Sequence, residues 1–258
     1  MNINFYIRKA SGAIVGGMFV VSGQRRKKLL RYDQAGSILS LYSHHPTRRA
    51  NLDVLKWLKD EGFLFMSTDE LLGIRQSEIS QSKRLAWLTF DDGWRSLQTE
   101  VIPDLVDMNI PATIFIAPDD KANKGPLFDE NDVRKIAAEC PLITFENHTL
   151  THCKCDEIIL LPDGPSRLES EIVTANKMIA EWTGRKPRMM CYPYGRYNND
   201  VDDLVRSLGL IPVKTTSGVM TANTIGHVRN LFYNDMSFCD NSCRVVGDCL
   251  KIKTFVTL

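Results

Sequence analysis

Leu85-Ala86-Trp87-Leu88-Thr89-Phe90-Asp91-Asp92-Gly93-Trp94 runs from an apolar stretch straight into two adjacent carboxylates and a glycine. The apolar part has the length and composition of a buried strand. The acidic pair does not belong in a strand interior, because two carboxylates side by side repel and burial raises at least one pKa. At a strand tip the pair is either a plain Asp-Asp-Gly turn or a place where a cation sits or a proton must move. A second cluster decides between these readings. His148-Thr149-Leu150-Thr151-His152 also follows an apolar run, Leu142-Ile143-Thr144-Phe145. Two imidazoles four positions apart can face the same way on one turn. With one carboxylate they make the usual three-ligand set of a catalytic zinc site.

Outward from these clusters the chain alternates strands and helices. Ser37–Tyr42 reads as a first strand, ending at Ser43-His44-His45-Pro46. Asn51 then caps a helix with Leu52, Leu55 and Leu58 on one face, stopped by Gly62. Phe63–Met66 is a strand, and Ser67-Thr68-Asp69-Glu70 opens another helix before the acidic strand. Residues 94–108 are helical by period, 113–116 a strand and 129–139 a helix. Ser166 and Glu169 form a capping box ahead of the stripe Leu168, Ile172, Ala175, Ile179 and Trp182. The strand Arg188–Cys191, the loop Tyr192-Pro193-Tyr194-Gly195, a helix over 200–208 and a strand near 211–214 follow. Repeated βα units favour a parallel sheet, closed or doubly wound. In both architectures functional groups gather at the carboxyl ends of strands, where all three polar motifs fall.

Composition narrows the function classes. The chain has 258 residues, 32 basic against 31 acidic, so nothing global favours nucleic acid. The run Gln24-Arg25-Arg26-Lys27-Lys28 reads as solvated surface. Residues 13–21 are apolar after Arg8-Lys9, but the run is short, holds Gly16-Gly17 and is followed by basic residues where small ones would mark cleavage. No stretch approaches the roughly 20 apolar residues of a membrane span. Seven scattered cysteines (140, 153, 155, 191, 239, 243 and 249) read as reduced thiols, and the expected compartment is cytoplasmic. Cys153 and Cys155 follow His152 and could add soft ligands to a metal, though neighbours of a ligand usually point away.

With these residues in view, Thr89-Phe90-Asp91-Asp92-Gly93 resembles the first signature of the polysaccharide deacetylases, the NodB-homology or carbohydrate esterase family four enzymes. Asn147–His152 is similar to their second signature and Tyr192-Pro193-Tyr194-Gly195 to a short form of the third. The resemblance spans roughly residues 37–217. It implies a single-domain α/β fold, a distorted (β/α) barrel of seven strands, at residues 36–235. Residues 1–35 are then an N-terminal extension, and 236–258 a C-terminal segment packing on the barrel.

Carried over, the resemblance makes Asp92, His148 and His152 ligands of a divalent metal, zinc first, with nickel, cobalt or iron as alternatives. Asp91 becomes the general base, the Tyr194 N–H an oxyanion donor, and Pro193 and Tyr194 part of the substrate site. Proline has no N–H, so a donor just after Pro193 is physically sensible. The metal would polarise the carbonyl and activate a water, whose proton Asp91 takes. The implied substrate is an N-acetylated carbohydrate. Alternatives are an O-acetyl esterase, a small-molecule amidohydrolase, or a silent carbohydrate-binding relative.

Two departures stand out. Met189, Met190 and Cys191 occupy the place of the arginine that in this family orients the base, which leaves Asp91 without a known partner. His227 is a candidate for the histidine that protonates the leaving amine, but Val228-Arg229 after it resembles a branch lacking that residue. A protonated Asp91 could return the proton instead. His44 or His45 could touch substrate or simply end a turn. Trp94 could stack on a sugar or belong to the core.

Overall fold

Strands that are buried at every position need both faces of the sheet covered. β1 (Ser37–Ser43), β3 (Arg84–Phe90), β4 (Ala112–Ile116) and β5 (Ile143–Asn147) are of this kind, buried throughout except at Arg84. They were traced in a computed structural model that describes residues 17, 18, 21, 23–33, 36–74, 83–121, 125–231 and 238–246. With β2 (Phe63–Phe65), β6 (Met189–Cys191) and β7 (Ile211–Val213) they make seven parallel strands. β8 (Met220–Thr221) and β9 (Asn230–Leu231) add to the outer edge of β1, the first antiparallel and the second parallel.

The sheet order is β7-β6-β5-β4-β3-β1-β8, with β2 on β3 and β9 on β1, curled into a half-barrel with helices around it. Among the described residues the expected seven strands are therefore present with two more. Those two are only two residues long, too short to leave a periodic signal.

The α-helices whose bounds lie among the described residues are α1 (Gln24–Leu29), α2 (Arg48–Asp60), α3 (Thr68–Gly73), α4 (Leu97–Glu100), α5 (Ile102–Asp107), α6 (Glu130–Glu139), α7 (Cys155–Ile158), α8 (Gly164–Thr183), α9 (Asn199–Ser207) and α10 (Phe238–Val245). Three local readings are corrected. Thr47, not Asn51, caps α2, its side chain accepting from the Ala50 N–H; Asn51 is buried inside the helix. α8 begins after Asp163, with Pro165 in its first turn and Ser166 already helical, so the Ser166 capping box does not form. The helix expected over 94–108 breaks into α4 and α5 at Val101, because Pro103 cannot donate to the carbonyl four residues back.

Side chains alternate across each strand, and this separates two of the core's three clusters. Leu39, Leu41, Leu88, Phe90, Ile114 and Phe145 point towards the helices. Ile38, Leu85, Trp87, Phe115, Met189, Cys191 and Val213 form the second cluster, on the other face of the sheet. Asp91 continues the parity of Leu85 and Trp87 and so turns to that second face. α10 lies against α2, with the rings of Trp57 and Phe238 5.9 Å apart. Cys140, Cys153, Cys155, Cys191 and Cys243 are free thiols, whereas Cys249 and the side chain of Cys239 lie outside the described residues, as does most of 1–35.

Candidate active site

Strand register places the two motifs next to each other. β3 pairs with β4 through Phe90 and Ile114, and β4 with β5 through Ile116 and Asn147. The Asp91 N–H donates to the Ser43 carbonyl at 2.9 Å and the His148 N–H to the Ile116 carbonyl at 2.9 Å, so both residues sit one step beyond their strands at the carboxyl edge. Asp92 and Gly93 then turn with φ of 73° and 76°. A Cβ on Gly93 would lie 2.6 Å from Ile116 Cγ2, so close approach and left-handed backbone both require glycine there.

Asp92 Oδ1 lies 3.4 Å from His148 Nε2 and 3.2 Å from His152 Nε2. The Trp94 indole N–H donates to Asp92 Oδ2 at 3.1 Å, so Trp94 serves the acid directly, while its ring lies 4.5 Å from that of His45. The histidines meet on an irregular turn rather than a helix, Thr149 and His152 having φ of 63° and 56°. His148 Nδ1 is 2.8 Å from the Cys191 carbonyl, which can only accept, so Nδ1 carries a proton and Nε2 is the nitrogen turned to Asp92.

Nε2 and the Asp92 carboxylate thus face one another across a gap that either a proton on the imidazole or a bound cation would bridge. Burial opposes a charge on His148, yet the neighbouring Cys191 and Asp92 push its pKa well above the usual imidazole value. Burial likewise opposes an ionised Asp92, but hydrogen bonds with His148 and His152 hold its carboxyl far below the ordinary range. One oxygen and two nitrogens, all within 4.8 Å of one another, are a donor set that a divalent cation fits.

Asp91 has different company. It is buried and paired bidentately with Arg229, Nη1 donating to Oδ1 at 2.6 Å and Nη2 to Oδ2 at 2.9 Å. Burial would raise its pKa; the Arg229 guanidinium overrides burial and keeps it below the ordinary value. Arg229 is itself fully buried, donating also to Thr89 Oγ1 and the Lys214 carbonyl, with its guanidinium 4.7 Å from the centre of the Tyr42 ring. This is the guanidinium missing from β6, supplied by the segment just before β9. His227, two residues earlier, does not join the site: its Nε2 is 3.4 Å from Arg206 Nη2, and burial and Lys214 lower its pKa.

A cavity of about 290 Å³ opens on these groups, lined by Asp91, Asp92, His148 and His152 below and by Tyr42, His44, Tyr192, Tyr194, Gly195 and Thr215 around. Tyr194 has φ of 59° and is 63% exposed, its ring 4.6 Å from that of His152, whereas Pro193 is buried beneath the turn. Gly195 and Arg196 close that turn by donating to the carbonyls of Tyr192 and Pro193. His44 lines the cavity on the side of β1, and a charge on it favours ionised Asp91 and Asp92.

Comparison with known proteins agrees with this geometry. The family model described as Polysaccharide deacetylase matches residues 78–213. YxkH of Bacillus subtilis is 25% identical over 146 residues, which is 57% of this chain and 50% of that protein. Poly-beta-1,6-N-acetyl-D-glucosamine N-deacetylase of Staphylococcus aureus is 23% identical over 163 residues, 60% of this chain and 56% of that one. The chain thus matches about half the length of these curated relatives. IcaB from Ammonifex degensii has the same fold, with a TM-score of 0.68 at 21% identity over 83% of this chain and 98% of that one.

Proposed function

The chain belongs to the polysaccharide deacetylase family, and from that footing we propose that it is a metal-dependent hydrolase removing N-acetyl groups from a sugar unit of a glycan. The observation that carries this reading is the opposite company of two adjacent acids: Asp92 faces two imidazole nitrogens, Asp91 a guanidinium. Asp92, His148 and His152 are the residues that would hold the ion. Bound there, a divalent cation supplies a Lewis acid for the acetyl carbonyl and lowers the pKa of water to ~7.

The chain's own groups do the rest. Asp91, kept ionised and aimed by Arg229, accepts a proton from the attacking water. The Tyr194 N–H donates to the oxygen on which negative charge develops. His44, on the cavity wall, donates a proton to the departing amine and is recharged from solvent, His227 not being among the residues that line the cavity. Tyr194 offers an exposed ring beside His152 on which a pyranose can pack. The cavity, at the small end of the ~300–1,000 Å³ range of ligand sites, suits one sugar unit with the glycan leading out. The substrate for which the Staphylococcus relative is named makes β-1,6-linked N-acetylglucosamine the first candidate.

The test is acetate release from N-acetylglucosamine oligomers beside O-acetylated sugars, with and without added zinc. Release from the N-acetyl substrates should need the metal, and Asp91→Asn should lower kcat by about 10²–10⁴-fold. Unchanged release by that variant defeats the base, and release from O-acetyl sugars alone makes the protein an esterase.

A further inference from the structure

The turn carrying the two histidines is strained in two places, and one long helix grips the residue just before the second histidine. Thr149 and His152 both lie in the left-handed region, which a β-branched residue avoids most strongly. Two bonds tie the turn to itself or its root: the Thr149 N–H donates to Asn147 Oδ1 at 2.6 Å, and the Cys153 N–H to Thr149 Oγ1 at 3.1 Å. Neither fixes it against the scaffold. The Leu150 carbonyl does so by accepting the Asp119 N–H at 2.8 Å, and Glu171 grips the next residue: Oε2 accepts the Thr151 N–H at 2.9 Å and Oε1 the Thr151 hydroxyl at 2.9 Å. Thr151 immediately precedes the ligand His152.

Glu171 is well placed to act as an anchor. α8 is 20 residues long, and Leu168, Ile172, Ala175 and Ile179 on its inner stripe are fully buried, so the backbone bearing Glu171 is rigid. The same helix holds the root of the turn, since Asn147 Nδ2 donates to the Ile172 carbonyl at 2.9 Å and to Asn176 Oδ1 at 2.7 Å. A ligand set is only as tight as the support that orients it.

Resting on the metal reading above, we propose that Glu171 is a positioning residue: by gripping both polar groups of Thr151 it holds His152 beside His148 and Asp92 and so sets the affinity of the site for a divalent ion.

The experiment measures zinc affinity of the full chain by competition with a chromophoric chelator, with thermal melting of the metal-free proteins alongside. Glu171→Ala should bind zinc ~10–100-fold more weakly, the usual loss when a ligand's support is removed. Glu171→Gln, which keeps an oxygen for the Thr151 N–H and can donate to its hydroxyl, should stay within about threefold of wild type. Glu169→Ala removes a like charge from an exposed position on α8 and should change nothing. Equal affinity in Glu171→Ala and wild type overturns the proposal. So does a loss in Glu171→Gln as deep as in Glu171→Ala, which would assign the effect to charge rather than grip. If Glu171→Ala does not fold, Thr151→Val loses only the hydroxyl contact: weaker binding at unchanged melting supports the grip, and unchanged binding overturns it. A wild-type chain that binds no zinc defeats the metal reading itself, whatever the variants do.

Discussion

Arg229 lies 138 residues from Asp91 in the chain and is wholly enclosed against it. A buried charge is tolerable only with its partner in place, so breaking the pair from one side costs about 3–5 kcal/mol. Arg229→Met should therefore lower unfolding free energy by roughly that amount in a urea titration. The double variant Asp91→Asn/Arg229→Met should fall well short of the sum of the single losses, the coupling being read from the double-mutant cycle. Additive losses would mean that Arg229 serves packing alone. The acid pair, both histidines and the Tyr194 turn were legible because each sits in a short run of unusual composition beside an apolar strand. Arg229 was not, because nothing local distinguishes a lone arginine in a loop. Only the pairing of β9, which starts directly after Arg229, with β1 shows that this segment lies one strand away from the acidic strand, across β1.

Within β5, Glu146 shares the inward face with Thr144 and His148, a position where the strand pattern calls for an apolar residue. Its Oε2 accepts the Arg188 and Met189 N–H groups at 2.7 and 2.9 Å, stitching β5 to the start of β6. Burial outweighs those bonds and pushes its carboxyl up to about 7. A folded-state pKa above the unfolded one means that the folded form binds the proton more tightly. This residue's contribution is thus best below about pH 4.5 and declines as pH rises towards 7. Glu146→Gln keeps the acceptor and removes the titration. The stability of the variant relative to wild type should rise between pH 4.5 and 7.5, by up to about 3 kcal/mol from linkage. A flat difference would show that Glu146 titrates normally. At this scale the sequence reading succeeded for elements with long periods, such as α8, and failed at their ends. Thr47 and Asn51 are both good capping residues, and only the chain direction after β1 selects Thr47.

The whole molecule was legible in outline because the alternation of buried strands and amphipathic helices leaves few arrangements of a parallel sheet. Curling the sheet as a half-barrel around β1 and β3 draws together the ends of β3 and β5 and the segment leading to β9, and neither the strand order nor the short outer strands carries a sequence signal. The same arrangement would couple a bound ion to global stability. Asp92, His148 and His152 come from two separate strand ends, so the unfolded chain cannot reproduce their geometry, and an ion that binds only the folded state stabilises it by mass action. At free zinc about 100 times the dissociation constant the gain is about 2.7 kcal/mol, which for a chain of this size raises Tm by about 5–10 °C. Scanning calorimetry with zinc and with excess chelator should show that difference in the wild-type protein. His152→Ala should abolish it, whereas Asp91→Asn, which removes no ligand, should keep most of it. A shift lost equally in Asp91→Asn would place the ion between the two acids, and the division of labour between Asp91 and Asp92 would have to be redrawn.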